Sequence, residues 1–261
     1  MEASKLPERA FQSKTASSSN TFQSKTALPQ HLRLQKTVGF DTAPQDHLFQ
    51  LIGQILEADN LPLSELHKTQ KGLLTLRLAE QNQLKSSRGP FEKLWRRATG
   101  NELRGELLEA VQNFVRLVVM PDLGTDCVVH QPLPTLRIHL PHTGKNLGGR
   151  HRDGDYYRQP TEVNYWVPLT RVGGSNSLWA ESEPGREDFR PFEGHWGSCT
   201  RFWGNQCEHY TVENETETTR VSFDLRCVPA ALYDDDYRSP LSKKDKAHFR
   251  LGQGYIRTTK V

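Results

Sequence analysis

The chain has 261 residues, 35% of them apolar and 25% charged, with a net charge of +3. That length suits one large domain, and the mixed, scattered charges speak against the clustered basic face of a nucleic-acid binder. No apolar run approaches the length of a membrane span.

The first 35 or so residues are rich in Ser, Thr, Gln and Lys and carry an identical repeat, FQSKTA, at 11–16 and 22–27. Two copies are too few for a solenoid, and the composition predicts a disordered tail over residues 1–38. The remainder, 39–261, reads as a single domain. An organelle transit peptide stays open, although Glu2 and Glu8 and the lack of an apolar stretch count against it. From about 45 to 120 the apolar spacing is helical, as in HLFQLIGQILEA (47–58), LTLRLAEQNQL (74–84) and ELRGELLEAVQNFVRLVV (102–119). A further helix begins at or just after Pro90 and ends near Gly100. No ligand cluster lies on these helices, so they are expected to be a packing layer.

After Pro121 short alternating runs take over, separated by Gly, Pro and Asn: DCVVHQP, TLRIHLP, EVNYWVPLT, NSLWAES, CTRFWG, HYTVEN and TRVSFDLR. Helices followed by a block of strands is an α+β order, and seven or so such runs predict a sandwich or barrel. In TRVSFDLR one face carries Val221, Phe223 and Leu225, the other Arg220, Ser222, Asp224 and Arg226. In TLRIHLP the polar face holds Arg137 and His139. Either face could be the inner one. Most of the tryptophans, four of which fall between 166 and 203, are expected in the core. The four cysteines form no C-x-x-C pair and follow no secretory signal, which predicts reduced thiols in an intracellular, cytoplasmic protein.

The chemistry concentrates in GGRHRDGDYYRQP (148–160). His151 and Asp153, two apart, leave a strand end in the same direction and can take adjacent corners of one metal. A distant histidine would complete a 2-His-1-carboxylate face, the set that leaves open positions on non-haem Fe(II). His209 follows Asp153 by 56 residues, and ten further residues separate it from Arg220. A hairpin through ENET would bring His209 and Arg220 onto neighbouring strands. Arg220 offers a planar fork for a carboxylate, and Ser222 a further donor on the same face.

H-x-D, a distal His about 55 residues on and then x10-R-x-S resemble the Fe(II)/2-oxoglutarate-dependent dioxygenases. The resemblance covers about residues 125–228. It implies a double-stranded β-helix (cupin-like jelly roll) core at 125–228, the helical layer at 45–120 supporting it, and a C-terminal extension at 229–261. It further implies Fe(II) held by His151, Asp153 and His209, and 2-oxoglutarate held by Arg220 and Ser222, with O2 as co-reactant. Asn164, on a strand flanking the metal strands, and Arg137 are further candidates for the cosubstrate. Tyr157, Trp179 and Glu181 are candidates for contact with a small-molecule substrate, whose hydroxylation would release succinate and CO2. Asp153 argues against a halogenase, which lacks this carboxylate. NYWVPLTRVGGSNSLWAESEPGREDF with HYTVENETETTRVSFDLR looks like the streptomycin-biosynthesis StrG-like branch. Two rivals stay open: a cupin-type enzyme with a three-histidine site (His139, His142, His151) and no 2-oxoglutarate, or a binding protein that keeps the fold without turnover.

Overall fold

A computed structural model of the chain describes residues 27–58, 60–83, 89–100, 103–156, 158–238 and 250–260. The FQSKTA repeat lies outside the described residues, apart from Ala27.

The helical half contains α1 (Gln30–Arg33), α2 (Asp46–Ile55), α3 (Gln70–Glu80), α4 (Gly89–Gly100), α5 (Arg104–Phe114) and α6 (Met120–Leu123). α3 begins four residues earlier than its apolar spacing suggests, because the Thr69 hydroxyl accepts the Gly72 N–H and caps the helix there. α5 runs into a π-helical turn, Val115–Val119, just ahead of Pro121 in α6. Pro121 lacks an N–H, so the ladder is already broken at that place.

The strands are β1 (Lys36–Gly39), β2 (Cys127–His130), β3 (Thr135–His139), β4 (Val163–Pro168), β5 (Trp179–Ala180), β6 (Arg190–Pro191), β7 (Ser198–Phe202), β8 (His209–Tyr210), β9 (Arg220–Pro229) and β10 (Ile256–Thr259). Seven of them form one sheet, in the order β1-β7-β4-β9-β2-β10, with β3 also paired to β9. β6, β5 and β8 form a second, three-stranded sheet. The pairs within both sheets are antiparallel. The chain is therefore a mixed helix and antiparallel-sheet protein.

β9 is the spine of the large sheet. Its first half pairs with β3, its second half with β2, and its other edge with β4. Its parity settles which face is inside. Val221, Phe223 and Leu225 pack with Leu136 and Ile138 of β3 and with Leu107, Val111 and Phe114 of α5 in the main core. The Phe114 and Phe223 rings meet edge to face, 5.7 Å apart. Burying each such side chain contributes roughly 1.5–3 kcal/mol. The helices thus cover the apolar face, and the face with Arg220, Asp224 and Arg226 borders a cavity. A smaller apolar cluster, which includes Trp166, Leu178, Phe192 and Phe202, packs elsewhere around β4 and β5.

The expected tail boundary at 38 has to be moved. Leu28 and Leu32, four apart, are both buried in the main core, and β1 pairs with β7 over Lys36–Gly39. One buried leucine just before α1 and one within it, together with the β1–β7 pairing, order a segment whose average composition is polar.

Candidate metal centre

His151 and His209 are brought together by the backbone. His151 N–H donates to the His209 carbonyl at 3.2 Å and His209 N–H to the His151 carbonyl at 3.0 Å. Such a reciprocal pair places both side chains on one side of the ribbon. The two rings lie 4.4 Å apart. Asp153 follows at the start of a 3-10 turn, its N–H donated to the Gly204 carbonyl at 2.8 Å. At Gly154 a Cβ would meet the Asn205 carbonyl oxygen at 2.6 Å, so only glycine lets the turn lie this close. One donor atom from each of His151, Asp153 and His209 lies within 4.8 Å of the others.

The ring nitrogens are sorted by their partners. Nδ1 of His151 lies 2.7 Å from the Gly149 carbonyl, and Nδ1 of His209 lies 3.0 Å from the Cys207 carbonyl. A carbonyl only accepts, so each Nδ1 carries a proton, and the neutral form of each ring has its lone pair on Nε2. This is how metal-ligating histidines are usually oriented. Burial holds His209 below the ordinary histidine range, opposed by Asp153. Burial would raise the Asp153 carboxyl, but the charge and hydrogen bonds of Arg226 outweigh it and hold it well below the usual carboxylate range. A neutral imidazole at His209 and an ionised carboxylate at Asp153 are protonation states that a divalent metal needs. The residues present therefore fit such an ion.

The triad lines a cavity of about 470 Å³. Arg220, also on its wall, is 1% exposed. One Nη donates to the Asn176 carbonyl at 3.0 Å, and Nε has no partner among the described residues. Burial and the neighbouring Arg137 pull its guanidinium down to about 9, against Asp224, so it remains a cation at neutral pH.

His209 and Arg220 are not hairpin neighbours as expected. His209 is in β8 of the small sheet and Arg220 in β9 of the large one, so they meet across the cavity. Asn164 and Arg137 line it too. Asn164 donates to Asp153 at 2.6 Å, and Arg137 donates to Asp224 at 3.0 Å. Ser222 is fully buried with its hydroxyl unpartnered, and it lies outside the cavity lining.

The expected substrate contacts Trp179 and Glu181 do not reach the cavity. The Glu181 carboxylate accepts the Glu187 and Glu208 N–H groups, and Trp179 Nε1 donates to the Gly174 carbonyl. This stretch turns its other parity inward, through Leu178. Tyr157 lies outside the described residues, while Tyr156 and Arg158 beside it line the cavity. The three-histidine alternative does not assemble. His142 is exposed and lies 3.2 Å from Glu217, while buried His139 donates to the Lys145 carbonyl and is held down at about 3 by burial and Arg220.

Arg226 and Glu162 were not picked out from the sequence. Arg226 forks onto both oxygens of Asp153. Its signal was its strand parity with Arg220. Glu162 is fully buried, taking Arg158 at 3.3 Å and the Tyr255 hydroxyl. No motif marks it.

No family model matches the chain. Over 148 residues it is 41% identical to the streptomycin biosynthesis protein StrG of Streptomyces griseus, a span of 56% of this chain and 69% of StrG. Similar solved structures include the non-haem α-ketoglutarate-dependent carbocyclase SnoK from nogalamycin biosynthesis, 10% identical, with 88% of this chain and 93% of SnoK covered and a TM-score of 0.48. Iron-bound EctD from S. alaskensis is 14% identical, with 84% and 80% covered and a TM-score of 0.45. A nickel complex of the non-haem monooxygenase ThoJ is 15% identical, with 84% and 85% covered and a TM-score of 0.45.

Proposed function

We propose, for a chain that belongs to the family of the streptomycin biosynthesis protein StrG, a jelly-roll oxygenase dependent on Fe(II) and 2-oxoglutarate that hydroxylates a small metabolite. One observation carries this reading. One ring nitrogen from each of two imidazoles and a carboxylate oxygen converge on a cavity that also holds a buried arginine with no carboxylate within ion-pair distance among the described residues. A buried cation without an anion costs several kcal/mol unless something compensates it. An anionic ligand does so, and a planar fork suits a carboxylate.

His151, Asp153 and His209 would hold the metal, and Arg220 the far carboxylate of the cosubstrate. Fe(II) and 2-oxoglutarate, when bound, supply an oxidant made from O2, with succinate and CO2 as by-products. The chain's own part is placement. Arg220 is fixed by the Asn176 carbonyl and lies over the Trp166 ring, 5.7 Å from its centroid. Trp166 and Leu178 add apolar wall to the cavity, which limits water beside the reacting centre.

The test is an anaerobic titration of 2-oxoglutarate into Fe(II)-loaded protein, followed by the metal-to-ligand charge-transfer band. The band is expected in the wild type and absent in His151→Ala and His209→Ala. Arg220→Ala should keep the metal yet bind 2-oxoglutarate roughly tenfold to a few hundredfold more weakly, since hydrogen bonds to charged groups contribute about 1.5–3 kcal/mol each. Arg220→Lys should recover part of the loss. Equal titration curves for the wild type and Arg220→Ala would remove Arg220 from the site.

A further inference from the structure

We propose that Arg226, with Asn164, is a positioning residue for Asp153: together they occupy three of its four lone-pair sites and so fix which one, on Oδ1, is presented to a metal. This rests on the metal reading above.

A carboxylate offers about four in-plane acceptor sites, two on each oxygen. Oδ2 of Asp153 accepts from Arg226 Nε at 2.7 Å and from Asn164 Nδ2 at 2.6 Å, so both of its sites are used. Oδ1 accepts from Arg226 Nη2 at 2.9 Å, which leaves one. The fork also locks the plane of the carboxylate, because two parallel N–H donors fix orientation as well as distance. Binding a metal through both oxygens would require breaking the fork or the Asn164 bond.

The supports are themselves held. Arg226 and Asp153 are 7% and 3% exposed at the side chain, so neither can swing into solvent. Arg226 and Asn164 face each other in the β4–β9 register, which delivers both donors from adjacent strands. Gly204 makes room for the Asn164 amide. A Cβ there would lie 2.9 Å from the amide carbon, nitrogen and oxygen alike. The same Gly204 carbonyl accepts the Asp153 N–H, so one short segment sets both the carboxylate and its amide donor. Glu162, 3.8 Å from the same Arg226 Nε that bonds Asp153, places a second buried carboxyl group beside the arginine.

The bland alternative is charge balance: Arg226 merely neutralises a buried carboxylate. Arg226→Lys separates the two, since it keeps the charge and loses the fork. Asn164→Ala is the second variant. It leaves the ion pair intact and frees one Oδ2 site. The measurement is Co(II) titration of full-length protein, read by affinity and by the visible ligand-field spectrum. Positioning predicts that Arg226→Lys binds Co(II) roughly 10–100-fold more weakly, the usual cost of losing an outer-shell partner. It also predicts an altered spectrum in both variants as a second oxygen becomes available. Wild-type affinity in Arg226→Lys together with a wild-type spectrum in Asn164→Ala overturns the proposal. If instead the wild type binds no Co(II), or His209→Ala binds it equally well, the metal reading itself fails.

Discussion

Asp224 shares the cavity wall with Asp153, and its position raises an electrostatic question. It lies near enough to Arg220 and His209 to act on the charge of both. A dianionic cosubstrate clamped by Arg220 would therefore approach a fixed negative charge. Arg137, donating to Asp224 at 3.0 Å, cancels that charge. Arg137→Ala is expected to weaken 2-oxoglutarate binding about tenfold, because an uncompensated charge several ångströms away in a medium of effective dielectric near 20 costs about 1–2 kcal/mol. Arg137→Ala combined with Asp224→Asn should recover most of that loss. A double variant whose losses simply add would show that Arg137 touches the cosubstrate itself, as first expected, and does not act through Asp224. At this scale the triad was legible because spacing is a one-dimensional property that survives folding. The fork of Arg226 was not, because parity names the face of a strand and not the partner opposite it.

Short elements were the least legible. β5, β6 and β8 span two residues each, too few to show an alternation. β8 is where the ENET hairpin expectation went astray: ten residues are enough to cross from one sheet to the other as well as to turn back within one. α1 is similar, four residues with a single buried side chain, Leu32. What holds it is tertiary. Arg201 donates to the His31 carbonyl at 2.8 Å and to Asp122 at 2.8 Å, and Asp122 also takes the Tyr165 hydroxyl and Lys36. The N-terminal segment is thus knotted to α6 and to the sheet through one buried carboxylate. Leu32→Ala should destabilise the protein by about 2–5 kcal/mol, the range for a buried leucine whose site cannot fully collapse. Chemical denaturation checks this. A loss below about 1 kcal/mol would return residues 27–38 to the tail that composition predicts.

At the scale of the whole molecule, the large sheet begins with β1 near one end of the chain and closes with β10 near the other. β10 was not expected, since the C-terminal stretch reads only as an extension. It is clasped by His130 of β2. Nδ1 of His130 donates to the Gln131 carbonyl at 2.6 Å, which leaves Nε2 to accept the Thr258 hydroxyl at 2.8 Å. Gln112 of α5 reaches the same hydroxyl at 3.4 Å, so helix, β2 and β10 meet at one point. Burial, helped by Arg116, holds His130 down at about 4 from an ordinary 6.5. The folded protein therefore keeps this imidazole neutral where the unfolded chain would protonate it. Its stabilisation is fully present above pH 6.5 and is lost progressively as the pH falls to about 4, on the order of 3 kcal/mol in all. Replacing His130 by Gln removes that proton from the balance. Between pH 6.5 and 4 the unfolding free energy of His130→Gln should fall less steeply than that of the wild type, by up to one proton's worth of slope. Denaturant unfolding at pH 7, 5.5 and 4.5 compares the two slopes, and the other buried histidines contribute equally to both proteins. Parallel curves would mean that the clasp on β10 does not depend on the charge of His130.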